Sequence, residues 1–189
     1  CAVGTLLQGA FYGMAFGWLS VSIAFVLVDS QTRSLRGYTD ELSGLFGRKY
    51  MNYRLDRIHA TQEKDVYGIM MDVNCFKEIN DTYGHAEGDR AIQEIGHILS
   101  GALVANSVAI RMSGDEFMVL IRHGSEELLG KTCAAIEQRV QHYNETAPAG
   151  SFQLSFSTGV AKYEGGSVEK FLVELDQRMY AEKRAFHAA

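Results

Sequence analysis

Hydrophobic and polar positions divide the chain into two regimes. From Cys1 to Val28 the residues are apolar or small apart from Gln8, and none is charged. A membrane-spanning helix needs about 20 such residues, so the run predicts one transmembrane helix over 1–28. Gly9, Gly13 and Gly17 recur every four residues and form one small-residue stripe on that helix. Such stripes let membrane helices approach closely. Residues 29–39 are a polar connector. After it the pattern switches between the periods of helix and strand. Leu42 to about Ala60 predicts a helix, Val66 to Val73 a strand, and Phe76 to Tyr83 a short helix. Asp89 opens a further helix with Ile92, Ile95, Leu99 and Ala102 on one face. Val108 to Met112 and Phe117 to Ile121 are short apolar runs joined by turn formers, the pattern of a β-hairpin. Ser125 to Tyr143 is helical, with Leu129, Cys133, Ile136, Val140 and Tyr143 on one side. Phe152 to Val160 alternates strictly, as a half-buried strand should. Ser167 to about Phe186 closes as a helix, with Val168, Phe171, Leu172, Leu175 and Met179 inward. The order α-β-α-α-β-β-α-β-α describes an α+β sandwich on a mostly antiparallel sheet.

The hairpin tip carries the first candidate chemistry. Asp115 and Glu116 stand beside Gly114, and a glycine lets a ligand come close to the backbone. Paired carboxylates on a tight turn suit a hard cation and a phosphate. A second acidic position, Asp72, ends the strand that begins at Val66. If that strand lies beside the hairpin, Asp72, Asp115 and Glu116 converge at one sheet edge and form a Mg²⁺ or Mn²⁺ site. The plainer alternative makes Asp115 and Glu116 ordinary turn residues and Asp72 a helix cap. Asp89 is likewise open to reading as the N-cap of its helix.

Four blocks of sequence carry a resemblance. Arg111-Met-Ser-Gly-Asp-Glu-Phe117 resembles the signature of GGDEF domains, the diguanylate cyclases, in an SGDEF variant. Asp72 to Asp89 (Asp-Val-Asn-Cys-Phe-Lys-Glu-Ile-Asn-Asp-Thr-Tyr-Gly-His-Ala-Glu-Gly-Asp) is similar to that family's second block. Asp40 to Arg48 resembles its opening motif, and Leu175 to Lys183 its closing helix. The resemblance covers about Thr39 to the C-terminus. It implies a nucleotidyl-cyclase-like palm with a ferredoxin-like βαββαβ core over 40–189, preceded here by the transmembrane helix. It also implies condensation of two GTP into cyclic di-GMP plus two pyrophosphates, at the interface of a homodimer. Glu116, Asp115 and Asp72 would be catalytic. Asp72, the Val73 carbonyl, Asp115 and Glu116 would hold two Mg²⁺ or Mn²⁺ ions per active site. Asn80 and Asp89 match the guanine readers, Lys77 and Lys183 the phosphate-binding lysines, and Phe76 and Gly114 further substrate contacts. The chemistry agrees, since a carboxylate accepts from the N1–H and amino group of guanine, which adenine cannot supply. Arg111 reads as a packing or ion-pairing residue and His85 as a support for its loop.

Departures from the family pattern qualify the reading. Ser113 replaces the first glycine of the hairpin motif, Asn74 stands where aspartate is common, and Gly47 replaces an asparagine. His187 stands where a phosphate-binding arginine is usual, and neutral histidine binds triphosphate less well. Val104 to Ser107 occupies the place of the Arg-x-x-Asp product-inhibition motif, which implies no feedback inhibition there. His187 and Ser113 motivate an alternative: a weak or inactive GTP-binding module that relays a signal to a protein partner.

Composition narrows the rest. The 189 residues carry a net charge of −5 with no basic stripe, which argues against nucleic acid as partner. Cys1, Cys75 and Cys133 show no metal-ligand spacing and suggest a reducing compartment. Cys75 reads as a small buried filler. Arg33 and Arg36 follow the apolar run and no basic residue precedes it. The positive-inside tendency then places the catalytic domain in the cytoplasm, anchored at the inner membrane.

Overall fold

The computed structural model describes residues 37–188. The membrane helix expected over 1–28, and residues 29–36 of the connector, lie outside them. Among the described residues no helix is long and apolar enough to cross a membrane.

From Thr39 onward the chain forms one compact unit. Its elements are β1 (Phe46–Gly47), α1 (Arg48–Thr61), β2 (Val66–Val73), α2 (Phe76–Tyr83) and α3 (His85–Ala102). They continue with β3 (Ser107–Ser113), β4 (Glu116–Ile121), α4 (Glu126–Thr146), β5 (Phe156–Tyr163) and α5 (Val168–Ala188). The sheet order is β1-β3-β4-β2-β5. The four long strands pair antiparallel, and the two-residue β1 adds a parallel edge to β3. This is the expected ferredoxin-like core with one short strand added.

Strand alternation builds two cores, because successive side chains leave a strand on opposite faces. Tyr67, Ile69, Met71 and Val73 of β2 join Phe117, Val119 and Ile121 of β4 against Ile92, Ile95 and Leu99 of α3 and Ile136 of α4. Val66 and Met70 join Met118 and Leu120 on the other face, against Leu55 and Ile58 of α1 and Phe171, Leu175 and Met179 of α5. All eight residues of β2 are buried, which explains the apolar run from Val66 to Met71 that precedes Asp72. By the same alternation Asp72 and Glu116 belong to the α1/α5 face.

Three element starts differ most from the sequence expectation. The first helix starts at Arg48 rather than Leu42. Asp40 Oδ1 accepts hydrogen bonds from the Ser43 backbone N–H at 2.8 Å and the Ser43 hydroxyl at 2.7 Å. Gly44, with φ +70°, then turns the chain so that Phe46 and Gly47 pair with Ile110 and Arg111. The apolar residues of this segment therefore serve a turn and a strand. The alternating strand begins at Phe156, not Phe152, since Val73 pairs with Phe156 and β2 ends there. Phe152 and Leu154 are still buried. Their backbone is held by Asn144 of α4, which bonds the N–H and the carbonyl of Leu154, each at 2.8 Å. Finally, α3 begins at His85 after Gly84, whose φ is +88°. Asp89 lies inside the helix, so it is not the N-cap.

Candidate active site

The hairpin tip is fixed from both sides. Gly114 takes φ +39°, a conformation that favours glycine, and a Cβ there would meet nothing within 4 Å. The register slips between Arg111 and Ser113, a bulge that turns the strand end. Arg111 donates from Nε and Nη2 to the Gly114 carbonyl at 2.9 and 2.8 Å, and from Nη1 to Asp40 at 3.1 Å. Burial alone would push the Asp40 carboxyl up. Hydrogen bonds from Ser43 and Arg111 outweigh it and hold the group below its ordinary value. Arg111 is therefore the ion-pairing residue expected, and it binds the opening motif to the tip.

Pairing of β2 with β4 sets Asp72 directly opposite Glu116. The Val73 N–H donates to the Asp115 carbonyl at 3.1 Å, which ties the tip to the end of β2. The three carboxylates thus reach one end of the sheet, as expected, and Asp72 is only 6% exposed. Lys183 comes in from α5, its Nζ 2.7 Å from Asp72 Oδ1. It is half-buried and paired with a carboxylate rather than free in solvent. Its ammonium is held above its ordinary value chiefly by the bond to Asp72. Asp115 is pushed up by burial first, and by the nearby charges of Asp72 and Glu116. Ser113 donates its hydroxyl to Glu116 Oε2 at 2.5 Å, a contact that glycine in its place could not make. Three carboxylates against one ammonium leave excess negative charge in a partly buried place, and every donor is a hard oxygen. That composition fits Mg²⁺ or Mn²⁺. Among the described residues, no three His, Cys, Asp or Glu side chains already stand where one ion could bind them all.

Asn74 and Cys75 join this end to a second group. Asn74 is buried and accepts from the Ser157 hydroxyl at 2.6 Å while donating to the Ser155 hydroxyl at 3.2 Å. It supports the strand end rather than facing a ligand. Cys75 adopts φ 56° and is half-buried, not fully buried. Burial, and then the charge of Glu78, pushes its thiol up. Phe76, Lys77 and Asn80 stand on α2, Asp89 on α3. Asn80 donates to the Phe76 carbonyl at 3.2 Å, and its Oδ1 lies 3.3 Å from His85 Nδ1. His85 thus orients Asn80, as its reading as a support implies. Gly88 permits this arrangement, for a Cβ there would lie 2.1 Å from Asn80 Oδ1. Lys77 and Asp89 are exposed. The structure assembles Asp72, Asp115, Glu116 and Lys183 by direct contact or pairing and leaves Asn80 and Asp89 on the neighbouring helix pair. His187 lies in the last turn of α5, edge-on to Phe186 at 5.6 Å.

A cavity of about 550 Å³ between α4 and β5 is lined by none of Asp72, Asp115, Glu116, Lys183, Lys77, Asn80 and Asp89. Sequence reasoning missed the roles of Ser113 and Ser157, and that of Glu182, which accepts from Thr158. No spacing signal marks the last two, since their partners lie 83 and 24 positions away.

The family model described as "Diguanylate cyclase, GGDEF domain" matches residues 37–188. Diguanylate cyclase DgcS of Shewanella oneidensis is 31% identical over 157 residues, covering 81% of this chain and 52% of the relative. Diguanylate cyclase DosC of Escherichia coli K12 is 29% identical over 150 residues, covering 77% of this chain and 33% of the relative. Among solved structures, the coiled coil and GGDEF domain of DgcB from Caulobacter crescentus, in complex with c-di-GMP, superposes with a TM-score of 0.75 at 25% identity. That match covers 88% of this chain and 93% of the other. The chain spans 31% to 52% of the length of the first curated relatives it matches.

Proposed function

The chain belongs to the GGDEF family of diguanylate cyclase domains, and on that premise we propose that it condenses two GTP into cyclic di-GMP. The observation that carries this reading is the placement of Asp72 opposite Glu116, with Asp115 tied beside them and pushed up by burial and charge. A site retired to a relay role has no need of all three carboxylates.

In the proposed reaction the 3′-hydroxyl oxygen of one GTP attacks the α-phosphorus of the other. A P–O bond forms, the bond from the α-phosphorus to the bridging oxygen breaks, and pyrophosphate leaves. Two such steps, between two facing domains, close the ring. Positioning and charge neutralisation dominate chemistry of this kind. Asp72, Asp115, Glu116 and the Val73 carbonyl would hold the metals, which supply charge neutralisation and acidify the attacking hydroxyl. Glu116, oriented by Ser113, accepts the hydroxyl proton. Lys183 exchanges part of its bond with Asp72 for the triphosphate. Gly114 leaves the backbone open to phosphate, and Lys77 adds charge from α2. Asn80 and Asp89 read the guanine edge, and Phe76 is a further substrate contact.

The test is product formation by the whole chain with GTP and Mg²⁺, then Mn²⁺, read by mass spectrometry with Asp115→Ala as the blank. Cyclic di-GMP absent from the blank supports the enzyme. Silence on a forced dimer overturns it in favour of the relay. Gly88→Ala supplies a second check. The added methyl displaces Asn80, so GTP affinity is expected to fall about tenfold, the loss of one good polar contact. The melting temperature should hold or rise, because alanine is the better helix residue by about 1 kcal/mol. Calorimetric titration and a thermal melt read both; unchanged affinity would remove Asn80 from the guanine site. The uncharged run over 1–28 supports anchoring at the inner membrane with the domain in the cytoplasm, which membrane fractionation tests.

A further inference from the structure

Helix α5 crosses β5 at very short range. A Cβ on Gly159 would lie 2.1 Å from the Leu175 carbonyl oxygen and 2.5 Å from the Met179 nitrogen. Beyond Met179 the packing stops: of residues 180–188 all are exposed except Lys183. A helix tail without packing frays, because its last carbonyls lack partners and its residues bury nothing. Lys183 lies in this tail, and a lysine ammonium rides on a flexible four-carbon stem. Something must hold the tail if that ammonium is to stay at Asp72.

Among the described residues, two side chains of the tail reach the sheet. Lys183 is one. Glu182 is the other, and its Oε2 accepts from both the Thr158 backbone N–H and the Thr158 hydroxyl, each at 2.8 Å. Thr158 is next to Ser157, the residue of β5 directly opposite Asp72. The anchor thus lies one residue along the strand from the position that Lys183 must reach. The Thr158 N–H points out from an edge strand and would otherwise face water. One turn earlier, Arg178 caps the Val160 carbonyl of the same edge.

We propose that Glu182 is a positioning residue: seated on Thr158, it holds the tail of α5 against the sheet so that Lys183 stays at the carboxylate site to meet the triphosphate. The proposal rests on the GTP reading above. A role confined to shielding the strand edge makes a different prediction, because Glu182 would then act independently of Lys183.

The experiment uses the full chain and 3′-deoxy-GTP with Mg²⁺, a probe that binds without being cyclised, read by calorimetric titration. Glu182→Ala is expected to weaken binding roughly tenfold, the scale of one charge-assisted contact. Glu182→Gln, which keeps an acceptor, should fall between it and the native chain, as should Thr158→Val, which keeps the N–H. The double variant Glu182→Ala/Lys183→Ala should bind no more weakly than Lys183→Ala alone. Amide hydrogen exchange over 180–188 should rise in Glu182→Ala and stay unchanged in Lys183→Ala. Additive losses in the double variant, native-like binding by Glu182→Ala, or unchanged exchange would each overturn the proposal while leaving the GTP reading intact. A native chain that does not bind the probe would overturn both.

Discussion

Asp115→Asn is expected to cut cyclic di-GMP formation by orders of magnitude and, at the same time, to raise the melting temperature of the metal-free protein. The two effects have one cause. Burial, then the charges of Asp72 and Glu116, hold the Asp115 carboxyl above its ordinary value. The folded chain therefore binds that proton more tightly than the unfolded chain does. Above the raised value the ionised group costs stability, and the cost is relieved as pH falls through it. Asparagine keeps the shape and removes the charge. Asp115 is partly exposed, so solvent screening keeps the gain small. Turnover should fall by about a thousandfold, the upper range for removing one preorganised electrostatic group. Thermal melts in EDTA and in Mg²⁺ separate the parts. Mg²⁺ should stabilise the native chain more than the variant, since a ligand stabilises the state that binds it. A variant that melts lower in EDTA, or that turns over at close to the native rate, would contradict the site as described.

Much of this site is legible in the sequence because strands alternate. Once β2 and β4 are recognised as neighbours, Asp72 and Glu116 follow onto one face, and Asp115 follows at the tip. The helix stripes of α3, α4 and α5 are equally legible, since Ile92, Ile95, Leu99, Ile136, Leu175 and Met179 are all buried. Local pattern fails where a distant partner overrides it. Phe46 belongs to a strand because Ile110 is beside it. Phe152 and Leu154 alternate like a strand yet bond to a helix side chain. Asp89 looks like a cap because Gly84, five residues earlier, is the less familiar start signal. The contact of Lys183 with Asp72 spans 111 positions, and nothing in composition or periodicity marks it. The matching motif places Lys183 in the closing helix; only the crossing of α5 over β5 shows what it touches.

That crossing predicts the largest stability effect. Gly159→Ala is expected to destabilise the fold by about 3 kcal/mol or more, the top of the range for an overpacked core, and to lower the melting temperature by roughly 10 °C. The clash is with backbone, at 2.1 Å from the Leu175 oxygen and 2.5 Å from the Met179 nitrogen. A helix backbone cannot turn aside as a side chain does, so α5 must lift from the sheet along its length. Gly68→Ala is the control. Its Cβ would meet Phe171 Cζ at 2.7 Å and Leu175 Cδ1 at 2.8 Å, the far ends of side chains that rotate away. Its loss should be well under half as large. Urea denaturation with an unchanged slope measures both. Lifting α5 also withdraws Lys183 from Asp72, so GTP affinity should fall in Gly159→Ala even where the protein remains folded. If the two alanine variants prove equally stable, α5 does not lie on β5 as described, and the delivery of Lys183 to the carboxylates loses its structural basis.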